Sequence, residues 1–513
     1  MKRKFFQLIK SIFSRVFLVA ITVFLELFLA LFFIIKLSEK YAYFELISSV
    51  FGILLFVTLI NKKMNPEHKI IWASLFVMFP LLAMVLYLLF ALNSPSKKLI
   101  NKYTNFDKSN FIKSKEYREE VYKLSSNYKG QIKYIENMSG LNVYKNTETT
   151  YLKDGKEFYD SLISDLKSAK KFIFMEYFII NHGTMWNNIE KILIDKVNEG
   201  VEVRLLYDDF GCAKYLRSDF SKKLRKKGIK CHKFNRVIPL VSSIHNNRSH
   251  RKITIIDGHI AYTGGINLSD EYMNITSPFG YWKDNAVRLY GEACDNLTVL
   301  FLQNFALATR EIQEYDKYFY KNNDSTEVIS DEIIVPFGSG PSLRYYENIS
   351  TDVFLHLINQ AKVSIDISTP YLIIDHSLSS ALIAAVARGV KVRILIPSKP
   401  DKKFVYEFSK LNAYELANHG VEIYTFTPGF NHAKSFLVDD EVAYVGTTNL
   451  DFRSLIHHYE CGVWIYNSKA IKDIDDNFES DYLKSKLVNP NELKSNFLVR
   501  LFVSFVRIFQ SLL

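Results

Sequence analysis

The first 92 residues are dominated by long apolar runs, and from residue 93 the pattern changes to short apolar runs alternating with charged, amphipathic stretches. Val16–Ile35 carries one charge, Glu26, and is long enough to cross a bilayer. Glu26 reads as facing a neighbouring helix, protonated or hydrogen-bonded. A second apolar run covers about Phe44–Ile60 and a third Ile70–Leu92, with Trp72 and Tyr87 near its ends and Pro80 placed to kink it. The expected organisation is N-terminal transmembrane helices within 1–93 (about 16–35, 44–60 and 70–92), a polar linker with some helix over 94–135, globular domains over 136–325 and 326–490, and an amphipathic helix over 491–513. That last segment places Arg500 and Arg507 among Phe and Leu, a pattern suited to a membrane surface. Three full crossings put the globular part outside the cell; a first segment lying in the interface puts it inside.

Beyond residue 135 the chain is an α/β sequence that repeats itself. Ala169–Tyr177, Gly200–Leu206 and Gly228–His232 read as strands in the first half, and Ala361–Ser368, Gly389–Leu395 and Gly420–Tyr424 repeat that order in the second. Each series leads to the same motif. His250-Arg-Lys252 is followed by four residues, Asp257, six residues and Gly264-Gly-Ile-Asn267. His432-Ala-Lys434 is followed by four residues, Asp439, six residues and Gly446-Thr-Thr-Asn449. From Gly228 to His250 is 22 residues and from Gly420 to His432 is 12, so the first half carries an insertion within Arg236–Arg248. Both motifs read as strand, turn, strand, with His and Lys on one face.

Two His, two Lys and two Asn joined by a pseudo-twofold repeat suit a phosphate group without a metal or cofactor. Lys252 and Lys434 supply positive charge, and Asn267 and Asn449 neutral donors, where charge builds on phosphoryl oxygens. One imidazole attacks a phosphodiester while the other protonates the leaving alkoxide. The attacking ring needs an acceptor at its far nitrogen, and each half offers a carboxylate downstream, Asp284 and Glu460. His245, His259, His457 and His458 lie outside the repeated spacing and read as ordinary histidines. The four cysteines are far apart and read as buried thiols. Of the net charge of +11, residues 1–92 carry +6, which suits an anionic lipid bilayer better than sequence-reading of nucleic acid.

The duplicated His-Lys-Asp motif resembles that of the phospholipase D superfamily. Within it the chain is similar to the bacterial cardiolipin synthases, through Asn65-Pro66 and Trp72, Arg248-Ser-His250-Arg-Lys252, Gly338-Ser-Gly-Pro341, Thr369-Pro-Tyr371 and Asn449-Leu-Asp-Phe-Arg-Ser454. The resemblance implies two tandem phospholipase D-like α/β/α domains. It also implies transfer of a phosphatidyl group between two phosphatidylglycerol molecules, with His250 as nucleophile, His432 as general acid and base, and Lys252, Asp257, Lys434 and Asp439 completing the motifs. A phospholipase D hydrolase, a phosphatidylserine synthase-like transferase, a nuclease and a non-catalytic membrane scaffold are the other readings. Two features depart from the family: three apolar segments stand where two are usual, and His458 stands where Asn is general.

Overall fold

The computed structural model describes residues 24, 25, 28, 32, 35, 36, 42–61, 66–92, 97–104, 118–237, 247–320, 328–341, 348–494 and 496–507. The chain forms two compact units, one of Met1–Ser96, Asn235–Asn247 and Phe497–Leu513, the other of Lys97–Phe234 and Arg248–Asn496.

In the first unit, the apolar run 16–35 lies almost wholly outside the described residues, Glu26 included. The second run forms the helix Ala42–Asn61. The third is not one span: it divides into helices Pro66–Met78 and Pro80–Leu92, of 13 residues each, or about 20 Å apiece. Pro80 has no N–H for the helix ladder, and the chain turns there. Among the described residues no helix is long and apolar enough to cross a membrane, so the expectation of transmembrane helices is not supported. Leu59, Phe76 and Ala83 form a small buried cluster, and the Trp72 and Tyr87 rings meet edge to face at 5.3 Å. Ile47, Val50, Phe51, Leu54 and Val57 remain exposed along the first helix. At the other end of the chain the expected helix forms over Phe497–Arg507, with Phe497, Leu498 and Leu501 exposed; 508–513 and most of the insertion, 238–246, lie outside the described residues.

In the second unit the expected linker is largely folded structure. Helices cover Lys97–Thr104, Arg118–Leu124 and Lys129–Ser139. Val121, Tyr128, Ile132 and Ile135 enter the same core as Val353, Phe354 and Trp464, and Gln131 accepts a 2.7 Å hydrogen bond from the Trp464 indole. The apolar positions 128, 132 and 135 share one helical face, an amphipathic signal hidden among lysines and glutamates; 105–117 lies outside the described residues.

The first half contributes β1 (Thr147–Leu152), β2 (Phe172–Tyr177), β3 (Glu202–Asp208), β4 (Lys230–Phe234), β5 (Ile253–Ile256), β6 (Ile260–Gly264), β7 (Tyr281–Lys283) and β8 (Ala286–Gly291). The second contributes β9 (Ile333–Ser339), β10 (Ser364–Ser368), β11 (Lys391–Pro397), β12 (Glu422–Phe426), β13 (Gly429–Asn431), β14 (Ser435–Val438), β15 (Val442–Gly446), β16 (Glu460–Tyr466) and β17 (Ser485–Leu487). One sheet runs β1-β8-β6-β5-β2-β3-β4 and the other β17-β12-β11-β10-β14-β15-β16-β9. The order β8-β6-β5-β2-β3-β4 and the order β16-β15-β14-β10-β11-β12 are the same, so the sequence repeat is a fold repeat. Gly200 and Gly389, which end the helices before β3 and β11, share a φ of +89°, a conformation glycine adopts without strain. The two sheets meet through one core that joins Ala261, Val287 and Leu289 to Ala443, Val445 and Val463. The largely buried helix Cys294–Thr309 contributes Phe301, stacked on Phe174 at 4.9 Å. All four cysteines are buried and free.

Candidate active site

The strand that carries each motif fixes where its polar groups point. His250 precedes β5 and Asp257 follows it, so the two stand at opposite ends of the strand, about 20 Å apart along the chain. Asp257, expected as a catalytic residue, lies at the turn: its carboxylate accepts hydrogen bonds of 2.7–2.8 Å from the backbone N–H groups of Lys170, Lys171 and Phe172. Asp439 repeats this on Lys362, Val363 and Ser364 at 2.7–3.1 Å. Both sit at positive φ, 52° and 54°, where Asp is tolerated because its short side chain bonds locally. The structure therefore places both aspartates as the clasps that hold the end of β2 and of β10 against the motif strand, away from the imidazoles.

The His and Lys residues are brought together. Nδ1 of His250 lies 2.9 and 3.0 Å from the two Glu460 oxygens. Nδ1 of His432 lies 2.6 Å from Oδ2 of Asp284. Each imidazole is thus held by the carboxylate of the other half. Backbone pairing produces this crossing: β7 pairs in parallel with β13, matching Lys283 to Asn431, and Ser249 bridges Tyr459 in the same sense. His432 N–H donates to the Lys283 carbonyl at 2.7 Å, and His250 N–H to that of Tyr459 at 2.9 Å. Sequence spacing left the partner of each carboxylate open, because no local pattern reports a contact between residues 148 or 210 positions apart.

The two pairs differ chemically. In the second motif Thr447 donates its hydroxyl to Glu460. The matching position in the first is Gly265, where an added Cβ would fall 2.0 Å from Oδ1 of Asp284; only a residue without a side chain lets that carboxyl approach. Burial would raise the Glu460 carboxyl, but the facing His250, His458 and Lys252 reverse this and hold it well below the usual carboxylate range. Burial pushes Asp284 up to about 6, against the pull of Lys434. Burial and the neighbouring lysine also keep both imidazoles well below their ordinary pKa. A neutral His250 giving its Nδ1 proton to an ionised Glu460 leaves Nε2 with a free lone pair. Around His432, Lys434 also reaches Nδ1 at 2.9 Å, so a carboxyl, an imidazole and an amine crowd one proton site. Thr447→Val is expected to cost about 2 kcal/mol of stability, the scale of a hydrogen bond to a charged group, measured by denaturant unfolding.

Lys252 donates to the His250 carbonyl at 2.6 Å, and Lys434 to that of His432. Burial lowers Lys252 to about 7 and Lys434 to about 8, against the opposing pull of the Glu460 and Asp284 carboxylates. Asn267 is already engaged: Oδ1 accepts from Ile179 N–H at 2.9 Å, and Nδ2 donates to Tyr272 at 2.6 Å. Buried Oδ1 of Asn449 has no hydrogen-bond partner among the described residues.

Four aromatic rings that sequence spacing did not single out wall the imidazoles: Phe178 at 5.0 Å from His250, and Tyr272, Trp282 and Phe430 at 5.4–5.6 Å from His432. His458, read as an ordinary histidine, stands beside His250 with ring centroids 5.6 Å apart. Arg251 is fully buried behind the motif, donating to the carbonyls of Glu460 and Leu300 at 3.1 and 2.8 Å.

A duplicated α/β fold with two imidazole–carboxylate pairs crossed between its halves, backed by two buried lysines, defines a phospholipase D-type transferase. The chain belongs to the cardiolipin synthase family of that class: the model described as "Cardiolipin synthase, PLD-like domain" matches residues 162–289 and 354–482, which contain both pairs. The chain is 33% identical to a cardiolipin synthase of Alkalihalophilus pseudofirmus, over 90% of this chain and 91% of that one. It is 33% identical to cardiolipin synthase 2 of Bacillus anthracis over 83% of each chain. It is 38% identical to an uncharacterized protein of Streptococcus mutans, over 85% of this chain and 94% of that one. The phosphatidylserine synthase of Haemophilus influenzae shares the fold, with a TM-score of 0.58 at 14% identity, over 74% of this chain and 98% of that one.

Proposed function

We propose that this chain is a phosphatidyltransferase that makes cardiolipin and glycerol from two phosphatidylglycerol molecules. The observation that carries the reading is the crossed pairing of His250 with Glu460 and His432 with Asp284, in a chain of this family. Nε2 of His250 attacks phosphorus, the bond from phosphorus to the headgroup glycerol oxygen breaks, and His432 passes its Nε2 proton to that leaving oxygen while the Asp284 carboxyl and Lys434 amine at its Nδ1 supply a proton in return. The result is a phosphatidyl-histidine, whose positive ring is steadied by Glu460. The headgroup hydroxyl of a second phosphatidylglycerol then attacks phosphorus while His432 takes its proton, and the bond from phosphorus to nitrogen breaks. Lys252 and Lys434 face the phosphoryl oxygens, with Asn267 and Asn449 beside them.

The assignment of roles rests on the difference between the pairs. A firmly ionised Glu460 suits a ring that must stay neutral with Nε2 bare, and the raised Asp284 with Lys434 suits a ring that gains and loses a proton. The exposed apolar faces of the N-terminal helices and of Phe497–Arg507 support contact with an anionic bilayer, and the apolar runs expected to span it remain part of this reading. The deciding assay supplies purified enzyme with labelled phosphatidylglycerol in vesicles. Cardiolipin with released glycerol supports the proposal, and phosphatidic acid alone makes the chain a hydrolase. A pH prediction follows from Lys252: kcat/KM falls as pH rises through about 7, because the lysine loses the charge that holds the phosphate. A rate that climbs steadily from pH 6 to 9 would contradict it.

A further inference from the structure

We propose that His250, His458 and Glu460 form a binding site for a single divalent transition-metal ion, such as Zn²⁺, which switches the enzyme off. This goes beyond the metal-independent transfer above, and its inhibitory half rests on that reading. One donor atom from each of the three side chains lies within 4.8 Å of the others, and among the described residues no other His, Cys, Asp or Glu trio converges this closely. Nδ1 of His250 is 2.9 Å and Nδ1 of His458 is 3.8 Å from Oε1 of Glu460. A tetrahedral ion bound by nitrogen and oxygen holds its donors about 3.3 Å apart, so these separations bracket what an ion needs with small side-chain shifts.

A further observation points to a ligand. Buried Nδ1 of His458 has no hydrogen-bond partner among the described residues, although it faces the Glu460 carboxylate. Two imidazoles and one carboxylate are a donor set that favours zinc over magnesium or calcium.

The consequence for chemistry follows from the tautomer. In the metal-free site the His250 proton sits on Nδ1, facing Glu460, and Nε2 is bare. An ion on Nδ1 takes that lone pair, so the proton moves to Nε2 through solvent, with no net change in protons. The attacking nitrogen then has no lone pair, and transfer stops. His458 is what makes the third ligand, and Asn at that position would leave two.

The test uses the full chain in detergent after treatment with EDTA, compared with His458→Asn. Co²⁺ is expected to bind wild type at one ion per chain with the visible absorption of a tetrahedral site, and the variant should lose that spectrum. Zn²⁺ should inhibit phosphatidylglycerol turnover by wild type and be reversed by EDTA. The half-inhibiting concentration should rise at least about tenfold in His458→Asn, because losing a ligand costs more than losing an outer-sphere partner. Each protein is normalised to its own metal-free rate. Equal Zn²⁺ sensitivity of the two proteins, or no Co²⁺ spectrum in wild type, overturns the site; metal bound without inhibition overturns the switch. If metal-free wild type makes no cardiolipin, the functional reading fails instead, and the Co²⁺ spectrum alone judges the site.

Discussion

His250→Ala is expected to form no cardiolipin, with a fall of about 10⁶-fold, the scale seen when a nucleophile is removed from an enzyme that works through a covalent intermediate. The ring is held for attack by groups on both sides. Its Nδ1 is fixed by Glu460 and its backbone N–H by the Tyr459 carbonyl, while Phe178 packs against its edge. His432 is tied to Asp284 and Lys434, and the neighbouring His458 lacks the close carboxylate hydrogen bond that orients His250, its Nδ1 standing 3.8 Å from Glu460. The check has two parts: product formation from labelled phosphatidylglycerol, and a search by peptide mass spectrometry for a phosphatidyl group on the quenched protein. Wild type should carry the adduct on His250, and the Ala variant none. An adduct on His432 in the His250→Ala protein would exchange the two roles.

Glu460→Gln is the second large effect, with kcat expected to fall by about 10⁴-fold while the fold stays intact, the size of loss when an orienting carboxylate beside a catalytic imidazole becomes an amide. Gln is close in shape, but its amide can present a donor to Nδ1. The ring then keeps its proton on Nε2, where attack should begin. Burial sharpens the effect, because Glu460 is shielded from solvent and water cannot restore the missing acceptor. KM should change little, since Glu460 holds the ring and not the lipid. A Gln variant with near-normal kcat would mean that the crossed pair is structural only.

Much of this was legible in the sequence because it is periodic. The two series of strands, the glycines before them and the His-Lys spacing all recur, and the structure returns them as two sheets of one order. Both carboxylates were visible as candidates, but which imidazole each would meet was not, since that depends on the parallel pairing of β7 with β13 and of Ser249 with Tyr459. Asp257 and Asp439 share the motif spacing for a backbone reason, the turn after the strand, and spacing alone does not separate a clasp from a reacting group. The segment around Val121 and Ile132 read as linker because its apolar face is narrow and its charges many. His458 stands out in the sequence only as a departure from the family, because it lies outside the repeated spacing and nothing local places its ring beside His250. The apolar stretch Ile70–Leu92 has the composition of a span, yet Pro80 divides it.

The contrast between Gly265 and Thr447 has a further meaning for the proposed reaction. Both reactants are the same lipid, so nothing in their chemistry says which one gives its phosphatidyl group and which one receives it. A perfectly symmetric site would offer two equivalent stations. One hydroxyl bonded to the carboxylate on one side and absent on the other makes the two imidazoles unlike, and identical molecules become donor and acceptor by which imidazole they meet.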